Sequence, residues 1–409
     1  MKMGERATHH LHHYPAKLIP QIAHFFLATD YFCRSRGVVL DPFGGTGTVA
    51  LETVLSGREA VYSDANPLAS LITETKLTVM PGLDFAEIIA PIQRRYKKSR
   101  KRLSPDVVNI GKWFDVPVIN SLTRLRDAIQ AERCEQLRNF LLVSFSATLR
   151  KVSNADPRLS VPVLRKDQRL SARSVDVISE FSQQLAANVK RMNAFECMME
   201  SSISLRVAGI DARSLLVQNG GNINEGEVDL IITSPPYAGA QKYIRASSLN
   251  LGWLGIAGAG QLKPLENQSI GREHLKREDR SWAGVTMSPS AEMVLRRIER
   301  KNPVRAAICR TYLREMYEAL VESSKCLRMG GFFILVIGNN QVCGEEFWSS
   351  KYLSEMLTGL GFEVELELVD EIKSRGLMTK RNRSAGLISR EWVIVFRKVA
   401  DVGSSKRVI

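Results

Sequence analysis

The segment from residue 38 to residue 64 constrains the fold more than any other part of the chain. It reads as strand, glycine turn, helix and strand: Val38-Val39-Leu40, then DPFGGTGT at 41–48, a helical run Val49–Leu55 ending near Gly57, and Ala60–Ser63 running into Asp64. This is half of an open α/β sheet, whose ligand crevice is expected at the carboxyl ends of its strands. Gly44, Gly45 and Gly47 permit a tight turn and bring a ligand close to backbone amides at a helix N-terminus; plain strand–helix packing is the alternative use of the same glycines. Pro42 and Phe43 break the spacing of a dinucleotide-binding G-x-G-x-x-G, and no Lys-Ser/Thr follows the glycines, so a phosphate loop is excluded as well. Asp64 suits the two hydroxyls of a ribose, with a helix cap before Asn66-Pro67 as the competing role.

Later segments extend this pattern. Arg206–Ala208 leads to Asp211, and the apolar strand VDLIIT runs into SPPY at 234–237. A helix over 311–328 is expected to stop at Met329-Gly330-Gly331, before a strand Phe332–Ile337 that enters GNN at 338–340. Glu363–Val369 and Trp392–Arg397 fit a closing antiparallel pair. Between these pieces lie two interruptions. Residues 76–204 contain apolar residues at three- and four-residue intervals, over 121–151 and 174–204, and read as a helical insertion. Residues 238–310 read as a second, irregular insertion, rich first in glycine and then in charge. The expected division is therefore 1–75 with 205–400 for the α/β unit, 76–204 for the large insertion and 238–310 for the smaller one.

Charge narrows the partners. Against 43 acidic residues stand 57 Lys and Arg, a net +14, which favours a polyanion, nucleic acid before an anionic membrane. The densest basic run is RRYKKSRKR, supplying Arg94, Arg95, Lys97, Lys98, Arg100, Lys101 and Arg102; it suits phosphate contact, or simply a solvated helix face. No apolar run reaches the roughly 18 residues of a membrane span, and the N-terminus has no signal-peptide pattern. With six scattered cysteines and no C-x-x-C pair, a reducing cytoplasm is expected and a zinc ribbon or redox motif is not. HHLHH at 9–13 lacks a carboxylate or cysteine at ligand spacing; no metal site is expected there, and the segment reads as a surface or lid element.

SPPY is the sharpest feature. Two prolines cannot continue a strand ladder, so the chain must leave the sheet at Pro235-Pro236. Their carbonyls lack any competing amide, Ser234 brings a hydroxyl, and Tyr237 brings a ring on which a base could stack. An exit turn with no chemistry is the other use of four such residues.

Taken together, DPFGGTGT and TSPPY resemble the cofactor and catalytic motifs of S-adenosylmethionine-dependent DNA methyltransferases that act on exocyclic amines, in the form associated with cytosine N4. HHYPAK at 12–17 and GIDARSLL at 209–216 resemble that family's methionine-end and adenine-contact segments, and GGFFILVIGNN and REWVIVFRK its late strands. The resemblance covers roughly residues 9–75 and 205–398. It implies a Rossmann-like class I methyltransferase fold with a mixed seven-stranded sheet. It implies that Asp41, Phe43, Gly44, Gly45, Thr46 and Gly47 line the cofactor, with Tyr14 and Lys17 assisting, Asp64 on the ribose and Asp211 on the adenine. For Asp211 a helix cap before Ala212 remains the alternative. Ser234, Pro235, Pro236 and Tyr237 would hold a cytosine flipped out of double-stranded DNA. A cognate restriction endonuclease is the implied partner, in a restriction-modification or related defence system. Adenine-N6 methylation, RNA amine methylation and non-catalytic nucleic-acid binding are the rivals; the first would more often carry Asp or Asn in place of Ser234. No cysteine follows a proline, which disfavours ring-carbon methylation through a thiolate. Few residues follow REWVIVFRK, so base recognition is expected within 76–204, 238–310 or both.

Overall fold

The computed structural model describes residues 6–15, 18–101, 105–165, 175–199, 204–239, 243–276, 288–371 and 390–401. Lys17 and Arg102 lie outside them. Two compact units make up the chain. One comprises 22–66, 203–242 and 266–409, and the other 1–21, 67–202 and 243–265.

Among the described residues, the first unit holds every strand. In chain order these are β1 (Val38–Asp41), β2 (Glu59–Ser63), β3 (Leu205–Gly209), β4 (Val228–Thr233), β5 (Leu327–Gly338), β6 (Asn340–Val342), β7 (Glu345–Phe347), β8 (Phe362–Glu371) and β9 (Arg390–Lys398). Seven of them form one sheet in the order β3-β2-β1-β4-β5-β9-β8, and β6 pairs with β7 in a small hairpin. The pairs from β3 to β5 are parallel, whereas β9 runs antiparallel to both β5 and β8. This is an α/β, Rossmann-like architecture with a mixed seven-stranded sheet. All six residues of β4 are buried, as expected of a central parallel strand covered on both faces. Strand order reverses between β1 and β4, the switch point at which such sheets open a crevice beyond their carboxyl ends.

At the amino ends of the same two strands, the carboxylate of Asp229 is buried. It accepts hydrogen bonds from Val38 N at 2.9 Å and from Arg328 Nε at 2.9 Å, and pairs with Arg34 Nε at 3.1 Å. The helix before β5 runs from Pro303 to Cys326, opened by the Asn302 side chain accepting from Arg305 N. It gives way to strand at Leu327, earlier than the glycines suggested. Gly330, at φ +71°, belongs to an irregularity inside β5 instead: Val228 faces Leu327, but Leu230 already faces Phe332. A left-handed glycine suits such a bulge as well as a helix end.

The other unit is helical. Its principal helices are Phe85–Lys98, Val116–Gln130, Glu135–Val152, Val177–Glu196 and Tyr243–Leu254, around a core that includes fully buried Trp253 edge-on to Phe114 and Phe145. The periodic run 121–151 is broken at residues 131–134, where Glu132 Oε1 takes the amides of Arg133 and Cys134. Part of the segment 238–310, expected to be irregular, is helical: Tyr243–Leu254, Leu262–Gln268 and Pro289–Lys301. Ile244, Leu251 and Leu254 of the first of these are buried at helical spacing, a pattern obscured by the glycines around it. No helix among the described residues is long and apolar enough to cross a membrane.

Replacing Asp229 by Ala strands the Val38 amide and unties β1 from the β5 bulge. It should lower the unfolding free energy by about 1–3 kcal/mol in urea titrations; an unchanged midpoint would refute this role.

Candidate active site

The glycine turn and the SPPY turn leave the carboxyl ends of adjacent strands, β1 and β4, within one unit. A single buried carboxyl ties them. Asp41 Oδ1 accepts from Thr233 Oγ1 at 2.7 Å and from Phe43 N at 3.1 Å. Burial, with the charge of Asp64 adding to it, pushes the Asp41 carboxyl up from 3.8 to about 7. Asp41 thus braces the two turns from below.

Gly44 N donates to Ser63 O at 2.9 Å, and Gly45 N to Asp64 Oδ2 at 2.9 Å. The other oxygen of Asp64 accepts from Asn66 N at 2.8 Å, so the acid serves both the turn and the entry to the helix Pro67–Leu77. Half-buried, Asp64 is raised by burial to about 6. A side chain on Gly44 would sit 3.1 Å from the Tyr62 ring, so the backbone is pressed onto the sheet there. At Gly45, where φ is +52°, a Cβ would meet nothing within 4 Å. The turn therefore has the Tyr62 side chain against one glycine and open space beside the next, with the Asp64 carboxylate bonded to the Gly45 amide. Thr46 and Gly47 are buried and Phe43 half-buried.

Asp211 follows β3, the strand beside β2. No helix begins at Ala212. Instead the Asp211 carboxylate accepts from Arg213 N at 2.9 Å and grips its guanidinium through Nε and Nη2 at 2.9 and 2.8 Å. Arg213 also pairs with the buried Glu315, which Arg272 Nη1 holds at 2.8 Å. Ile210, unremarked in the sequence, is 70% exposed beside Asp211 and offers apolar surface at this end of the crevice.

The SPPY turn is held where the chain enters it, where it leaves it and at the tyrosine hydroxyl. Thr233 is fixed by Asp41, Asn340 Nδ2 donates to Ala238 O at 3.2 Å, and Tyr237 Oη donates to Glu391 Oε1 at 2.7 Å. Pro235 and Pro236 are buried, and Tyr237 is only 9% exposed, so little of its ring is open. Ser234 is half-buried, and among the described residues its hydroxyl is bonded to no protein group. Glu391 had no signal in the sequence: it lies 154 residues from Tyr237.

The remaining candidates lie in the helical unit. Tyr14 is buried there, stacked on Tyr243 with ring centroids 6.5 Å apart. His9 and His12 are buried too, and His12 Nε2 lies 3.0 Å from Ser146 Oγ, so two of the four HHLHH histidines are core residues and not surface ones. The alternation of buried and exposed residues there was hidden by their shared polarity. Within the basic run, Arg95 pairs with Glu132 and Lys101 with Asp127. Arg94, Lys97, Lys98 and Arg100 are exposed, and among the described residues their charged ends have no protein partner.

No family model matches the chain. It is 24% identical over 351 residues to the Type II methyltransferase M.MvaI of Kocuria varians, covering 82% of this chain and 77% of that one. It is 29% identical over 105 residues to the Type II methyltransferase M.MjaII of Methanocaldococcus jannaschii, covering 26% of this chain and 19% of the relative. Among solved structures, a SAM-dependent methyltransferase from Methanosarcina mazei overlaps 94% of this chain and all of its own, at a TM-score of 0.35 and 10% identity. The rRNA methyltransferase aviRa of Streptomyces viridochromogenes overlaps 94% of this chain and 88% of its own, at 0.31 and 10%. At such scores the architecture rests on the chain's own strand order.

Both raised carboxyls hold their protons more tightly folded than unfolded. That favours the folded state at low pH and is lost as pH rises from about 4 through about 7. Urea unfolding should therefore show this contribution as a decline in free energy between about pH 4 and pH 7. Asp41→Asn keeps an acceptor for Thr233 but cannot ionise, and should flatten that decline; an identical slope in the variant would exclude Asp41 as a source.

Proposed function

We propose that this chain is an S-adenosylmethionine-dependent DNA methyltransferase that modifies an exocyclic amine, cytosine N4 in particular, in double-stranded DNA. Likeness over most of both chains to a Type II methyltransferase supports DNA methyltransferase activity in general. The choice of amine rests on Ser234. Its unengaged hydroxyl, at the carboxyl end of β4 beside the braced glycine turn, is the observation that carries this reading.

The residues at the crevice fit the cofactor. The open space beside Gly45 would admit a ligand against backbone, Asp64 would offer its oxygens to ribose hydroxyls, and Ile210 with Asp211 would supply an apolar cover and an acceptor for an adenine amine. When bound, S-adenosylmethionine supplies an electrophilic methyl group on a sulfonium. The chain's own part is alignment. A cytosine amine is a weak nucleophile because its lone pair is delocalised into the ring. Hydrogen bonds from that amine to Ser234 Oγ and the Pro235 carbonyl draw it toward tetrahedral geometry and localise the pair. Reaching the amine requires swinging the base out of the duplex, at a cost of a few kcal/mol, which contact with Tyr237 partly offsets. Arg94, Lys97, Lys98 and Arg100 are the proposed phosphate contacts. A partner endonuclease in a restriction-modification setting belongs to the same proposal.

Ser234→Ala should reduce methyl transfer by about 10²–10³-fold while cofactor binding stays within about twofold. Mass analysis of nucleosides from methylated DNA should give N4-methylcytosine; N6-methyladenine would reject the chosen amine, and full activity of the variant would reject the residue's role.

Neutralising Arg94, Lys97, Lys98 and Arg100 together should weaken DNA binding on all sequences. It should also reduce the log–log salt slope by about 3–4, near 0.9 per lost phosphate contact. A loss confined to one sequence would contradict the assignment.

A further inference from the structure

The catalytic turn has an unusual mechanical problem. Pro235 and Pro236 have no amide hydrogen, so the turn has two fewer backbone donors with which to bind its surroundings. Two of its ties, Thr233 to Asp41 and Asn340 to Ala238 O, fix the chain entering and leaving the turn. Neither sets the orientation of the Tyr237 ring. A third reaches the ring itself: the phenol hydroxyl donates to Glu391 Oε1 at 2.7 Å.

That contact crosses a strand. Tyr237 follows β4, Glu391 is on β9, and β5 runs between them. At the crossing, β5 presents Gly338, the register partner of Glu391, which brings no side chain to that point. On its other side Glu391 faces Asp370 of β8. Two carboxylates opposite each other across a strand pair disfavour one another. A hydrogen bond to the phenol gives Glu391 a reason to occupy this place.

We propose that Glu391 is a positioning residue for methyl transfer: by accepting the Tyr237 hydroxyl, it anchors the far end of the ring beside Ser234 and so helps set the seat of the target base. The inference rests on the methyltransferase reading given above and names a residue for which that reading has no role. Glu391 touches neither base nor cofactor; it acts through Tyr237.

The test measures single-turnover methyl transfer to DNA, cofactor affinity and thermal midpoint for wild type, Glu391→Leu, Glu391→Gln, Tyr237→Phe and the Tyr237→Phe/Glu391→Leu pair. Leu removes the acceptor and should slow transfer by about 10–100-fold, the scale of a misplaced reacting group, with cofactor affinity within about twofold. Gln keeps a carbonyl acceptor and should recover most of the lost rate. Tyr237→Phe should match Leu, and the double variant should be no slower than either alone, because both break one bond. Transfer at the wild-type rate by Glu391→Leu overturns the proposal, as do additive losses in the double variant. Should Glu391→Leu fail to fold, Tyr237→Phe and Glu391→Gln decide: a wild-type rate in Tyr237→Phe, or a Gln variant slower than Phe, overturns it. A wild-type protein that transfers no methyl to any DNA defeats the methyltransferase reading itself and this inference with it.

Discussion

A hydrogen bond of 2.7 Å between the Thr233 hydroxyl and the buried carboxyl of Asp41 joins the carboxyl ends of β1 and β4 where the strand order reverses. Parallel neighbours have no hairpin between them, so the turns that leave them have no covalent reason to stay together. Asp41 supplies one. The same oxygen takes the Phe43 amide and thereby shapes the glycine turn. Because successive residues of a strand point to opposite faces, Thr233 turns toward Asp41 and leaves the hydroxyl of Ser234 available. The brace costs something: burial penalises the ionised carboxyl, and a second acid, Asp64, stands close by.

Beyond that brace, the crevice is assembled from distant parts. β2 brings Asp64, whose two oxygens are engaged by Gly45 and Asn66. β3 brings Asp211, already clasped by Arg213, and the exposed Ile210. The closing antiparallel pair, which serves elsewhere to finish the sheet, contributes Glu391 to the Tyr237 hydroxyl. The proline turn is held by Asp41 on β1, Asn340 on β6 and Glu391 on β9.

Local signals were legible where they were complete in themselves. The strand–turn–helix over 38–64 carries its own period and its own breakers, and the structure has β1, a helix Thr48–Leu55 and β2 there. The antiparallel β8–β9 pair was legible for the same reason. Where one residue type serves two purposes, the linear pattern misled. Gly330 marks a bulge within β5 and not the end of a helix, the glycines around 243–254 masked a buried helical face, and polar HHLHH contains two core histidines. Lys101 and Arg95 looked like free charges because their partners, Asp127 and Glu132, lie about 30 residues away in sequence.

What the amino-acid order determined unaided was the kind of sheet and the two turns that leave β1 and β4, since prolines, glycines and apolar periodicity act over a few bonds. Tertiary structure alone decided which groups hold those turns. The pairing of Thr233 with Asp41, of Tyr237 with Glu391 and of Asp211 with Arg213 and its neighbour Glu315 depends on strand order and on burial. Strand order and burial arise only when segments separated by a hundred residues or more pack together and water is excluded between them.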